Sequence, residues 1–429
     1  MNDVAATVLP RAVRLRIFAY LACLVALVAF SDPNGGLLEI PISFLLKNGL
    51  KLDAGELARF RLFAAIPLYL SFLFGLARDA WNPFGIRDRG LIGAFSLLSA
   101  ALYLVFAFLV PVSYASLLIA SILLTTSFLF VSSAQSGLTS TLAQQHAMSG
   151  QVSAIWNIFA SLPVVAAYVI GGVFSDYLAR MTLGDAGAAL FGVGALAAFA
   201  VAAFAILRPR AVFNNLRIEH DAAVHPLADL RRLARHRPAQ VAMLVWLLWN
   251  FAPGSTTPLQ YHLQNRLGGA DADWGTWNAV FAASFVPAYA AFGFLCRRYT
   301  LRTLLWAGTL LAVPQFVPLL FVGSLPSALI AAAPMGFMGG MATAAYLALV
   351  IRACPSGLQG TTLMLSGGLY YVSTRVGDLL GTWLYERSGD FTICVILITL
   401  VYALILPVLL LTPRDIVNTT DDAVPIAPT

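Results

Sequence analysis

Apolar runs, each long enough to cross a bilayer as a helix, follow one another from Arg16 to Thr412, with short polar breaks and one longer Arg-rich interval between them. A hydrocarbon core about 30 Å thick takes about 20 mostly apolar helical residues. An ordinary soluble domain carries about 25% charged residues, whereas this chain of 429 residues is 11% charged and 59% hydrophobic, with a mean hydropathy of +0.81. A water-soluble globule is excluded, and an all-α, polytopic membrane protein is expected.

Runs near 16–47, 57–77, 91–111, 115–142, 151–175 and 186–207 predict six spans. Runs near 239–264, 274–296, 302–322, 326–351, 358–385 and 391–412 predict six more. The expected organisation is an N-terminal six-helix bundle over 1–207, an Arg-rich cytoplasmic linker over 208–238 and a C-terminal bundle over 239–429 with a short disordered tail. Leu227, Leu230 and Leu233 form an apolar stripe in the linker, read as an interfacial segment, with partner binding as the alternative. The first run follows Arg11, Arg14 and Arg16 as a signal peptide would, but it continues past Phe30 without a small-residue cleavage site, so it is read as a retained span.

Cytoplasmic loops keep an excess of Lys and Arg. With the N-terminus inside, 18 of the 26 basic residues fall in inner segments, seven fall outside, and Arg375 lies within a span. Both termini are therefore expected in the cytoplasm, and a high Arg content suggests a cell inner membrane. The net charge of +6 comes from scattered residues, so no nucleic-acid partner is implied. Cys23, Cys296, Cys354 and Cys394 are far apart and lack ligand spacing. No cofactor or metal is expected, no enzyme motif is present, and the chain is expected to be monomeric.

The two halves repeat. Pro41 to Leu50 aligns with Pro258 to Leu267 at an offset of 217, Pro67 and Arg78 meet Pro287 and Arg298 at 220, and Gly150 and Gly171 meet Gly360 and Gly381 at 210. Duplicated halves are typical of transporter folds, and helix breaks at matching places point to the binding site. Ser31-Asp-Pro-Asn-Gly-Gly36 interrupts span one, and Asn250 to Pro258 interrupts span seven.

An ionisable residue inside a span is costly and needs a partner, a cavity or a neutral form. Asp32 and Glu39, seven residues apart, are expected on one helix face. Both are candidate proton carriers, as is Asp378; a turn cap is the alternative for Asp32, and a rim ion pair with Arg61 for Glu39. Arg375 is expected either to meet a substrate carboxylate or phosphate with its planar fork or to pair with Asp378 three residues on. Asn34, Gln135 and Asn157 complete the candidate substrate contacts, with bonding within or between helices as the alternative for Asn157.

Between spans two and three the chain reads Gly75-Leu-Ala-Arg-Asp79-Ala-Trp-Asn-Pro-Phe-Gly85-Ile-Arg87-Asp-Arg89-Gly90. An acid at one helix end and arginines at the next can form a charge-clamped latch. With twelve spans and duplicated halves, this resembles the major facilitator superfamily. The longer gap before Gly85 is similar to the folate and biopterin transporter branch, although Asp88 stands where that branch often has a basic residue and Gly90 where it often has Pro. The superfamily resemblance implies alternating access around a midplane site lined by spans one, four, seven and ten, with Gly75, Asp79, Gly85, Arg87 and Arg89 forming a cytoplasmic gate. The expected function is secondary active transport of a small anionic or zwitterionic solute, the ionisable groups in the spans suggesting proton coupling. The alternative is a non-transporting sensor or assembly factor that binds a pigment, lipid or partner.

Overall fold

A computed structural model describes residues 9–35, 37–52, 54–81, 87–178, 180–214, 226–269 and 271–421, and all regular structure among them is helical. Among the described residues, nine helices are long and apolar enough to cross a membrane by length and composition. They account for nine of the twelve expected spans. The other three, spans two, seven and eleven, depart for local reasons. Span two is cut by turns at Ala65 and Leu70 into Ala54–Ala64, Ile66–Tyr69 and Ser71–Ala80. Span seven is cut by its Pro-Gly break into Arg237–Asn250 and Thr257–Tyr261, and span eleven, Gln359–Ser388, carries Arg375, Asp378, Glu386 and Arg387.

The repeat is written into the helix boundaries. Spans five and eleven, Ser149–Leu178 and Gln359–Ser388, have 30 residues each and start 210 positions apart. Spans four and ten, Tyr114–Gln145 and Leu325–Ala353, each begin with a capping box, Ser113 with Ser116 and Ser324 with Ser327. In such a box the first hydroxyl and a side chain three residues on satisfy N–H groups that have no partner within the helix. After the breaks in spans one and seven the chain continues through Glu39–Phe44 and Thr257–Tyr261 into matching single π-turns, Leu45–Gly49 and His262–Arg266, at the offset of 217.

Residues 31–35, 37 and 38 are not helical. The expectation that Asp32 and Glu39 share a helix face therefore fails, because the 100° step per residue is lost in the break. The first part of the tail is ordered, and residues 422–429 lie outside the described residues. Residues 414–421 are packed, with a short helix Arg414–Val417 and buried Val417 and Asp421. The linker stripe forms the helix Pro226–Arg235, whose Leu233 packs on Ala239 and Leu358.

Span two lies along span eleven and span five along span eight, joining the halves. Span ten runs through the core, with Ala342, Ala344, Ala345, Tyr346, Ala348 and Val350 fully buried. One end of the bundle, called the latch end below, holds the starts of spans five and eleven. Residues 148–154 and 358–364 there are buried without interruption, whereas exposure recurs further along both helices.

Candidate functional site

At the latch end, span two closes on the first turn of span eleven because Gly75 has no side chain. A Cβ there would stand 2.5 Å from the Gly360 carbonyl oxygen and 2.6 Å from Thr361 Cα. The close approach brings Asp79 to the start of span eleven. Its carboxylate accepts the Gly360 N–H at 3.1 Å, and the Thr361 N–H and hydroxyl both at 2.7 Å. These N–H groups have no partner inside their own helix, and the positive end of the helix dipole favours an anion.

Arg78 holds the acid in place. It donates to Asp79 at 2.7 Å and reaches Asp88 with two bonds at 2.6 and 2.7 Å. Asp79 and Asp88 are only 2% and 6% exposed in their side chains, so their charges need this partner. The departure from the branch pattern at position 88 thus supplies the second carboxylate for Arg78. Arg78 was not among the sequence-based gate residues, although Asp79 beside it and Asp88 ten residues on were the available signal.

Arg89 bonds within its own half. It donates to the carbonyls of Ala205 and Ile206 at the end of span six and lies 5.2 Å over the Phe213 ring. Gly85 and the side chains of Arg87 and Glu39 lie outside the described residues.

A second carboxylate crosses the halves at the same end. Asp421 accepts the Gly150 N–H at 3.1 Å and the Gln151 N–H at 2.8 Å at the start of span five, and Arg352 of span ten bonds it at 2.9 Å. Gln144 of span four also donates to the Ile351 and Cys354 carbonyls at 2.8 and 2.9 Å. Sequence reasoning missed Asp421; the Gly150 and Gly360 match was the trace of it.

Away from the latch end, the two breaks are held by side-chain caps. Asp32 accepts the Asn34 N–H at 2.8 Å, and the Asn34 amide donates to Thr125 of span four at 2.7 Å. A small cavity beside this turn is lined by Ser31, Pro33, Ser96, Ser99, Tyr103 and Phe128. In span seven, Asp378 accepts the hydroxyls of Thr256 and Thr257 at 2.7 and 2.8 Å and the Thr257 N–H at 2.9 Å. It does not ion-pair with Arg375, correcting one of the two expectations for that arginine: the carboxylate is turned to the broken helix instead. Gly254, at φ +102°, has no room for a Cβ, and Gly381 lies directly against it.

Gln135 is buried with its side-chain nitrogen unpartnered. Asn157 donates to the Ser153 carbonyl at 2.9 Å, while Ser153 itself bonds the Ala344 carbonyl of span ten. Arg375 is exposed and makes no ion pair or hydrogen bond among the described residues. Met364, Gly368 and Arg375 fall within about 40° of one another on the helix. Ser71 of span two bonds the Met364 carbonyl at 2.7 Å and meets Gly368 closely, so this stripe faces the N-terminal half. Arg375 continues it about two turns beyond that contact.

No sequence-family model matches the chain, and no curated protein sequence does. Solved structures do. The transporter FucP in its outward conformation aligns at a TM-score of 0.66 and 15% identity, over 94% of this chain and 99% of its own. A bacterial homologue of the iron transporter ferroportin in an outward-facing state aligns at 0.66 and 18%, over 92% and 98%. The human organic anion transporter TETRAN aligns at 0.64 and 15%, over 94% and 100%. The chain has the fold of the major facilitator superfamily transporters, a multi-pass helical membrane fold.

Proposed function

We propose that this protein is a secondary transporter that moves a small anionic or zwitterionic solute by alternating access, with the latch end in the cytoplasm. The observation that carries the reading is Arg375, a guanidinium within a span that has no partner among the described residues, on the stripe that faces the other half. A charge at that depth is retained where it meets water or a ligand, and its planar fork suits two oxygens of a carboxylate or phosphate. The Arg bias of the loops supports the orientation, and two solute carriers of this fold in outward states support closure at the inner end. Gly75, Asp79 and Arg78 hold that end shut. Gly85, Arg87 and Arg89 remain part of the proposed gate, Arg89 by fixing the end of span six.

Proton coupling is assigned to Asp32, with Glu39 as its alternate. Asp378 is bonded to three donors as a helix cap and so shapes the break in span seven. Asn34, Gln135 and Asn157 border the path. The folate and biopterin likeness rests on the loop 75–90 and supplies no substrate.

The test is thermal stabilisation of the purified protein across a panel of small carboxylates, phosphates and zwitterions, because a ligand of the native state raises its apparent stability. Stabilising solutes are expected to lose their effect in Arg375→Ala, whose unliganded midpoint stays near that of the parent. The same solutes should enter liposomes under an imposed proton gradient. Binding without flux would favour a sensor or assembly factor, and stabilisers indifferent to Arg375→Ala would remove that residue from the site.

A further inference from the structure

Spans five and eleven are related by the internal repeat, and each presents its first N–H groups to a carboxylate at equivalent positions: Gly150 and Gln151 in one, Gly360 and Thr361 in the other. The bond lengths agree as well, 3.1 and 2.8 Å to Asp421 against 3.1 and 2.7 Å to Asp79. The acids come from unrelated places. Asp79 lies in the last turn of span two, and the repeat that pairs Pro67 with Pro287 and Arg78 with Arg298 puts Tyr299 at its counterpart. Tyrosine offers no carboxylate, and the chain after span twelve supplies one.

We propose that residues 414–421 form a strap that serves as the second latch of the gate, and that Asp421 leaves the start of span five each time the latch end opens. The inference rests on the alternating-access reading above. The strap is fastened to its own half: Arg352 donates to the Ile416 and Thr419 carbonyls at 3.0 and 2.9 Å, Thr419 accepts the Leu301 N–H at 3.3 Å, and the Asp421 N–H donates to Cys296 at 2.9 Å. Its carboxylate is the part that reaches across. Opening this end therefore separates Asp421 from Gly150 and Gln151 while the strap stays with the C-terminal half. Its side chain is 0% exposed, so losing those donors requires water to enter, and release is coupled to wetting of the latch end. Gly150 makes the approach feasible, since a Cβ there would stand 2.6 Å from Cys296 Cβ and 3.1 Å from the Asp421 carboxylate.

Spin labels at the exposed Asn214 and Ser356, in a Cys23→Ser background that removes the one exposed cysteine, would read the distance between halves at this end in lipid nanodiscs. Asp79→Asn and Asp421→Asn are each expected to raise the open population about tenfold, the size expected for a lost charged cap. If Asp79→Asn opens the gate and Asp421→Asn does not, the strap is no latch and alternating access stands. If neither well-folded variant opens it, the alternating-access reading fails and the inference with it. Hydrogen exchange of the unaltered protein covers the case of a variant that does not fold. Peptide 148–153 should exchange through the opening while 415–421, still bonded to Arg352 and Cys296, stays protected; a strap that exchanges freely while 148–153 stays protected would overturn the proposal.

Discussion

Gly75 and Gly367 are both helical glycines, yet they have opposite reasons to be there. At Gly367 an added Cβ would meet only the Ser71 hydroxyl, at 3.9 Å, an ordinary contact. At Gly75 it would strike the backbone of span eleven, which cannot rotate away. Gly75→Ala is therefore expected to destabilise the folded state by about 1–3 kcal/mol, as overpacking does. Gly367→Ala should be neutral or stabilising by up to about 1 kcal/mol, because alanine is the better helix former. Unfolding midpoints of the two variants in one detergent check this, and equal losses would mean that span two does not lie against Gly360. The same scale separates Asp378 from Asp32. Three donors surround Asp378, whereas the Asp32 turn opens beside a cavity, so the two acids that the sequence placed in one class sit in different surroundings.

Among elements, spans four and ten show how the repeat persists after side chains have diverged. Their sequences differ, but Ser113 and Ser324 occupy the same cap and each pairs with a serine three residues on. A lost cap costs about 1 kcal/mol. Ser113→Ala and Ser324→Ala are expected to lower stability by that amount each, and the double variant by their sum, since the sites share no partner. Denaturant midpoints measure this, and a double loss well short of the sum would show the boxes to be coupled. The matched π-turns after the breaks follow the same logic: a helix resumed after a break is free to shift register, and both halves resolve that shift at the same place.

For the whole molecule, what matters is that the halves are clasped by buried charges at helix ends. Asp79 and Asp421 are 2% and 0% exposed in their side chains, and salt screens buried pairs far less than exposed ones. The distance between Asn214 and Ser356 is therefore expected to stay unchanged between about 0.1 M and about 1 M salt. A shift toward the open distance at high salt, in the same spin-label measurement, would mean that the clasps are solvent-exposed surface pairs.

The sequence alone determined the apolar spans, the repeat of the two halves, the two helix breaks and the position of Asp79 at the end of span two. These depend on local composition and on residues close together along the chain, where apolar length, Pro and Gly act directly. Tertiary structure alone decided the partners. Asp79 meets Gly360 across 281 positions and Asp421 meets Gly150 across 271, and no spacing rule links such distant residues. It also turned Asp378 away from Arg375, its near neighbour, because the broken span seven brought it three hydrogen-bond donors. A buried carboxylate goes to whichever donors the packed helices leave unsatisfied, and those are known only once the helices have docked.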